Sequence, residues 1–278
     1  MKRVLTIQDI SCVGRCSLTV ALPVLSAMGL ETVVLPTALL SAHTAFEGVY
    51  KKDLTEAIAP ITVHWHSQGI RFSSVSCGYL GSALQMELVR ECFEQWRREG
   101  ARLFIDPVMG DHGKLYAGFD GHYVNSMREF CREADVLLPN LTEATFLLGI
   151  DYGSLPGDRR GYEDMARRLA GLNGGTVIVK GICPEEGRIA VLAHDARTGE
   201  TVWCIKERLD AQPAGTGDIF AAVCQGAFTK GAGLYESVEL AMDFVSECIK
   251  KTCEDKEGRW YGVNFEEALP FLIGREKR

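Results

Sequence analysis

Short apolar runs alternate with longer stretches of helical periodicity along this chain. Val4-Leu5-Thr6-Ile7 reads as a buried strand ending at Gln8-Asp9, Thr32 to Leu35 as a second and Phe72 to Cys77 as a third. Leu103-Phe104-Ile105 runs as a strand into Asp106-Pro107, and Val136-Leu137-Leu138 does the same into Pro139-Asn140. Thr176 to Val179 is a further strand, and Ile189 to Ala193 with Val202 to Ile205 reads as a hairpin around the turn residues Asp195 to Gly199. Helices fall between them. One covers Ser17 to Met28, kinked or delayed by Pro23. Ser82 opens another, with Leu84, Leu88, Val89, Cys92, Phe93 and Trp96 at helical spacing. Met165 to Leu172, Ile219 onward, and Leu234 to about Lys250 complete the set. Strands that alternate with helices predict a parallel, doubly wound α/β sheet. No linker, repeat or low-complexity tract divides it, so residues 1–278 read as a single domain.

Such sheets bind ligands outside the carboxyl ends of their strands. Polar residues gather there: Asp9 after the first strand, Asp106 after a middle one, Asn140 and Glu143 after the next, and Lys180 after a later one. Gly215-Thr216-Gly217-Asp218 then precedes the apolar helical run Ile219-Phe220-Ala221-Ala222-Val223. Two glycines allow a tight turn that aims successive N–H groups into one anion-sized cavity at a helix N-terminus. Asp218 puts a carboxylate where phosphate should bind. That placement suits a base that takes a proton from a hydroxyl as it attacks a phosphoryl group. The same residue also fits a simple N-cap.

Charge narrows the partners. A net charge of −7 and a pI near 5.5 argue against nucleic-acid and membrane surfaces. No apolar run reaches the ~18 to 20 residues of a membrane span. Gln8 and Asp9 interrupt the first apolar run too early for an export signal, and the ten cysteines are scattered singly, so a reducing cytoplasm is expected. Cys92, Cys224 and Cys248 sit at apolar helical positions and read as core.

Four segments then fall in a telling order: Cys77-Gly78-Tyr79-Leu80-Gly81-Ser82, Asp106-Pro107-Val108-Met109-Gly110-Asp111, Pro139-Asn140-Leu141-Thr142-Glu143 and Gly215-Thr216-Gly217-Asp218. In this order they resemble the vitamin kinases of the ribokinase-like superfamily. Ile7-Gln8, Pro23 and Ser41-Ala42-His43-Thr44 narrow the resemblance to the pyridoxal/pyridoxamine kinases. It covers nearly the whole chain. It implies a three-layer α/β/α fold with a central, mostly parallel sheet, and ATP- and Mg²⁺-dependent phosphorylation of the 5′-hydroxymethyl group of a B6 vitamer. Dependence on a monovalent cation is left open, and a cytoplasmic homodimer is implied.

By the same resemblance Asp218 is the catalytic base, and the amides of Gly215, Thr216 and Gly217 form the anion hole. Asn140 and Glu143 organise Mg²⁺ largely through water, with Asp106 and Asp111 as further metal or water ligands. Lys180 and Tyr116 face the nucleotide, and residues 206–213 form a loop over it. Asp9, Thr44 and Tyr79 contact the pyridine ring. Better-known members carry Ser where this chain has Asp9, so the carboxylate is expected to alter the choice of vitamer. Several local alternatives stay open: Asn140 and Glu143 as helix caps, Asp111 as a turn residue, Tyr116 as a core aromatic and His43 as a structural histidine. Hydroxymethylpyrimidine is a second candidate substrate, and a catalytically silent vitamer-binding relative a third reading. His64-Trp65-His66 reads as a strand with both imidazoles on one face but lacks a third metal ligand. Cys12 and Cys16 lack a second cysteine pair, and Glu163-Asp164 reads as a solvated helix start.

Overall fold

The structure, a computed structural model, describes residues 1–209, 211, 213–255, 258 and 260–273. In chain order the first half comprises β1 (Arg3–Ser11), α1 (Leu18–Ala27), β2 (Glu31–Leu40), β3 (Lys51–Asp53), α2 (Thr55–Ser67), β4 (Ser74–Cys77), α3 (Ala83–Arg98) and β5 (Arg102–Ile105). A small hairpin of β6 (Gly110–Asp111) and β7 (Lys114–Leu115) follows, then α4 (Gly121–Phe130), β8 (Val136–Leu137), α5 (Leu141–Leu148) and α6 (Arg159–Asn173). The chain continues through β9 (Thr176–Ile182), β10 (Arg188–Asp195), β11 (Thr201–Glu207), α7 (Thr216–Lys230), α8 (Leu234–Glu254) and α9 (Leu269–Ile273).

Among the described residues nine strands form one sheet in the order β11-β10-β9-β8-β5-β4-β1-β2-β3. Its six central strands run parallel, whereas β10, β11 and β3 pair antiparallel at the edges. The period of two along each strand divides the core into two layers. Leu5, Ile7, Leu103, Ile105, Val177 and Val179 pack on one face with Ile58, Phe93 and Leu169. Val4, Phe104, Val136 and Ile178 pack on the other with Val24, Ile219 and Phe244. Near-continuous apolar strands covered by helices on both sides are what a parallel sheet requires. The result is the expected three-layer α/β/α architecture.

Several elements differ from their sequence reading. Asp9 lies inside β1, where the pairing register with β2 slips between Gln8 and Ile10. Lys180 likewise lies inside β9. The α1 helix continues through Pro23. His64-Trp65-His66 belongs to α2, and residues two apart on a helix point to different sides, so the two imidazoles share no face. Glu163-Asp164 is one turn inside α6, which starts after the N-cap Asp158; both carboxylates pair with Arg167, and Glu163 also accepts from the Trp203 indole (3.1 Å). Leu84 is exposed although its neighbours on α3 pack inward. Among the described residues all ten cysteines are free, and no helix is long and apolar enough to cross a membrane.

Candidate active site

The strand order reverses beside β1, which has β2 on one side and the later β4 on the other, and such a switch point leaves a crevice at the carboxyl ends. Into it α7 delivers its N-terminus. Gly215 caps that helix at φ 86°, a left-handed conformation, and a Cβ there would sit 1.9 Å from the Arg15 carbonyl oxygen. No other residue fits. Arg15 is held in turn by an ion pair with Glu266 (3.1 Å), and Val263 N–H donates to the Ala214 carbonyl (3.1 Å). The C-terminal segment thereby braces the turn. The first intrahelical bond of α7 runs from Ile219 N–H to Gly215 O, so the amides of Thr216 and Gly217 precede the first closed turn. Gly217 is different from Gly215: a Cβ there would meet nothing within 4 Å. Open space above unpaired helix-start amides is the cradle an anion needs.

Asp218 is the third residue of α7 and is not its cap. Its Oδ2 accepts from the Ser17 backbone N–H (2.9 Å). The carboxyl is pushed up to about 7, first by burial and then by the negative charges of Asp106 and Asp9, against the Ser17 N–H and Lys180. A base near neutrality is well matched to proton abstraction at working pH. A cavity of about 20 Å³, room for roughly one water, lies behind it against Thr6, Gln8, Gly78 and Asp106. A larger cavity near 700 Å³ sits at the opposite, amino ends of the strands around Arg3, Arg71 and Arg102, away from all these carboxylates.

Next to Asp218 is a charged pair. Lys180 Nζ donates to Asp106 Oδ2 at 2.6 Å, and both side chains are nearly buried. Burial works against the Lys180 ammonium, but Asp106 and Glu143 outweigh it and raise its pKa. Lys180 is thus committed to Asp106. Asn140 and Glu143 form a complete capping box on α5: Asn140 Oδ1 accepts from Glu143 N–H (2.9 Å) and Glu143 Oε2 from Asn140 N–H (2.8 Å). Glu143 Oε1 also accepts from Met109 N–H (3.4 Å), and Asn140 Nδ2 donates to Gly110 O (2.9 Å). The cap reading is therefore correct, and it places the carboxylate in the cleft at the same time. Burial, then repulsion from Asp106, holds the Glu143 carboxyl well above the usual range.

Asp111 occupies a tight hairpin in which His112 and Gly113 both have positive φ, and its carboxylate accepts from His112 N–H (2.8 Å). It serves its own turn. Tyr116 is 44% exposed, yet its hydroxyl is raised by burial and by Glu143, Asp111, Asp106 and Asp218, which puts it at the rim of the charged cluster and outside the core. Among the described residues no three His, Cys, Asp or Glu side chains form a ready-made metal cage. Lys206 is on β11, bonded to Asp243 of α8 (2.7 Å), so the expected nucleotide loop begins beyond it. Within that loop Asp210 and Gln212 lie outside the described residues.

The other end of the crevice is less charged. Asp9 is 6% exposed and accepts from Ser17 Oγ (2.6 Å) and Ser11 Oγ (3.1 Å). Burial raises its pKa, with Ser17, Ser11 and His43 opposing. His43 is half-buried, accepts from Ala45 N–H through Nδ1 (3.1 Å), and has its pKa lowered by burial despite Asp9. Thr44 is exposed beside it. Tyr79 takes a hydrogen bond from Lys51 (2.8 Å) and stands 5.9 Å from Phe119, which stacks on Tyr123 at 3.7 Å. Lys51 and Phe119, and the pairing of Ser17 with Asp9 and Asp218, carry no local sequence signal because the partners meet only after folding.

A three-layer fold with a carboxylate and bare amides at a helix start, facing a buried Lys–Asp pair, defines a small-molecule kinase of ribokinase-like class. The profile of the phosphomethylpyrimidine kinase family matches residues 22–262, and the chain belongs to that family. A pyridoxal kinase from Lactobacillus plantarum is 31% identical, with a TM-score of 0.89 over 99% of this chain and 97% of that one. A putative phosphomethylpyrimidine kinase from Bacteroides thetaiotaomicron, solved with pyridoxal, is 32% identical, with a TM-score of 0.92 over 98% of this chain and 95% of that one. The pyridoxal kinase PdxY of Rubrobacter xylanophilus is 29% identical over 90% of this chain and 87% of its own length.

Proposed function

We propose that this protein, a single kinase domain, transfers the γ-phosphoryl group of ATP to the 5′-hydroxymethyl group of a B6 vitamer. The observation that carries the reading is Asp218, a carboxyl near neutrality at the mouth of the open Gly217 cradle. In this mechanism Asp218 takes the hydroxyl proton as the oxygen bonds to phosphorus. The bond from the γ-phosphorus to the bridging oxygen breaks, and ADP leaves with the electron pair. The amides of Gly215, Thr216 and Gly217 hold the transferring oxygens, and Lys180 faces the remaining phosphates. Asp9 and Tyr79 orient the ring, with Thr44 beside them. A homodimer in the cytoplasm belongs to the same reading.

The residues present also fit Mg²⁺. Asp106, Glu143 and Asp218 interact electrostatically around one ammonium, Lys180. A polyphosphate would be repelled from that surplus unless a divalent cation came with it. Two hard carboxylates, water and phosphate oxygens are the usual Mg²⁺ environment. Glu143 and Asp106 would hold it, Asn140 would position Glu143, and the ion would supply charge neutralisation on the phosphates. Glu143→Gln should raise the Mg²⁺ needed for half-maximal rate by about tenfold. An unchanged Mg²⁺ titration would leave Glu143 a cap alone.

The substrate reading is tested with protein, Mg-ATP and each of pyridoxal, pyridoxine, pyridoxamine and hydroxymethylpyrimidine, following ADP release. ADP formation with the vitamers is expected. Release with hydroxymethylpyrimidine alone would favour the second substrate, a pyrimidine like the one in the family's name. Binding without release would indicate a silent relative.

A further inference from the structure

Ser17 breaks two local rules at once. It precedes α1 in the N-cap position, where a serine hydroxyl ordinarily accepts from an amide of the first turn, but it makes no such bond. Its backbone has φ 52° and ψ −133°, one of two positive-φ non-glycine residues among those described. Glycine adopts that conformation freely and serine does not. A strained, non-capping serine calls for a reason outside its own helix.

Both halves of the residue supply one. The backbone N–H donates to Asp218 Oδ2 at 2.9 Å, and the hydroxyl donates to Asp9 Oδ1 at 2.6 Å. The positive φ lets amide and hydroxyl reach carboxylates on two different elements, β1 and α7, from one position. Ser17 and Asp9 are both buried, so the hydroxyl–carboxylate bond is shielded from bulk water, and the bond to the half-buried Asp218 is partly so. Ser11 holds the second oxygen of Asp9 and fixes the plane of the carboxylate.

We infer that Ser17 is a positioning residue that ties the substrate-facing carboxylate Asp9 to the phosphoryl-transfer carboxylate Asp218. The inference rests on the roles proposed above for those two aspartates. It makes the two functions of Ser17 separable: the amide serves Asp218, and the hydroxyl serves Asp9.

Ser17→Gly performs that separation, because it relaxes the backbone, keeps the N–H and removes the hydroxyl. The variant should melt no lower than the parent. KM for pyridoxal should rise about tenfold, the effect of losing one charge-assisted hydrogen bond, with a smaller change in kcat and none in KM for ATP. Ser17→Ala loses the same hydroxyl without relaxing the backbone, so it should match the KM change but melt below Ser17→Gly. Combining Ser17→Gly with Asp9→Asn should cost no more than Asp9→Asn alone, since the two changes remove one interaction. Fully additive losses would overturn the coupling. An unchanged pyridoxal KM in Ser17→Gly, or a fall confined to kcat, would overturn the role of the hydroxyl. Asp218→Asn is measured alongside: if it turns over normally, the base assignment fails, whatever Ser17 does.

Discussion

The two ends of the cleft handle negative charge in opposite ways. At the phosphate end, Asp106, Glu143 and Asp218 crowd around one ammonium, and all three carboxyls are raised by burial with mutual repulsion adding to two of them. At the other end Asp9 stands with two serine hydroxyls and a histidine whose pKa burial lowers. One end is under electrostatic tension that an incoming cation would relieve. The other holds a single buried carboxylate with hydrogen bonds to two hydroxyls. Changes at the phosphate end should therefore move rate and pH behaviour, and changes at the ring end should move selectivity.

The sharpest test of this contrast is Asp218→Asn. Turnover should fall by roughly 10² to 10⁴, the usual share of a positioned base. In the parent enzyme kcat/KM should rise with pH and level off above about 7, and the variant should lose that limb. Stability should respond with the opposite sign. Because the folded carboxyl titrates near 7 and the unfolded one near 3.8, the native state binds the extra proton between those values, and parent stability falls as pH rises across that window. Asp218→Asn should thus be more stable than the parent at pH 8 by roughly 1 to 3 kcal/mol, after allowing for solvent screening at the cleft mouth. The gain should vanish below the unfolded value. Equal stability at pH 8 would show that Asp218 is under no such tension.

Lys180→Met breaks the charge balance directly. It leaves Asp106 and Glu143 buried without their cation, which costs about 3 to 5 kcal/mol when one partner of a buried pair is removed. Protonation relieves that cost, so the variant should recover stability as pH falls. ATP-dependent kcat/KM should drop on the order of a hundredfold as the phosphate-facing charge is lost. A variant with full stability at pH 8 would mean that the carboxylates are neutral without it.

Gly217→Ala probes the cradle with a single methyl. Nothing lies within 4 Å of the added Cβ, and the site is helical, so stability should rise by about 0.5 to 1 kcal/mol. Turnover should nevertheless fall about ten- to a hundredfold, because the methyl occupies the space assigned to the transferring phosphoryl group. A stabilised variant with normal turnover would place the phosphate elsewhere.

The phosphate end was also the easier end to read. Its chemistry is local in sequence: four consecutive residues make the turn and base, and Asn140 and Glu143 are one helical turn apart. The alternating strands were equally plain, since parallel pairing buries both faces and leaves uninterrupted apolar runs. What escaped notice depends on distance. Lys180 and Asp106 are 74 positions apart, and Ser17 and Asp218 are 201 apart, so neither pairing leaves a local trace. The α2 helix was hidden by Pro60 and by β-branched residues around it, with only Ile58 and Thr62 buried at helical spacing. The β6–β7 hairpin had a signal, Asp111 between Gly110 and Gly113, but an aspartate there reads equally as a turn residue or as a ligand of a metal or its water.

The smallest expected effect belongs to Asp9, and the structure limits it. Both carboxylate oxygens already accept a serine hydroxyl, so at most one lone pair on each is available to the ring. A hydrogen bond of that kind made to one vitamer and denied to another is worth on the order of 1 kcal/mol, or about fivefold. Asp9→Ser should therefore shift the ratios of kcat/KM among pyridoxal, pyridoxine and pyridoxamine by about that factor. KM for ATP should stay unchanged, because Lys180 and Glu143 lie at the other end of the cleft. The pH limb assigned to Asp218 should move slightly downward, since Asp9 is one of the negative charges that hold its carboxyl up. Uniform scaling of all three vitamers would make Asp9 a structural support for the pocket and would erase the contrast between the two ends.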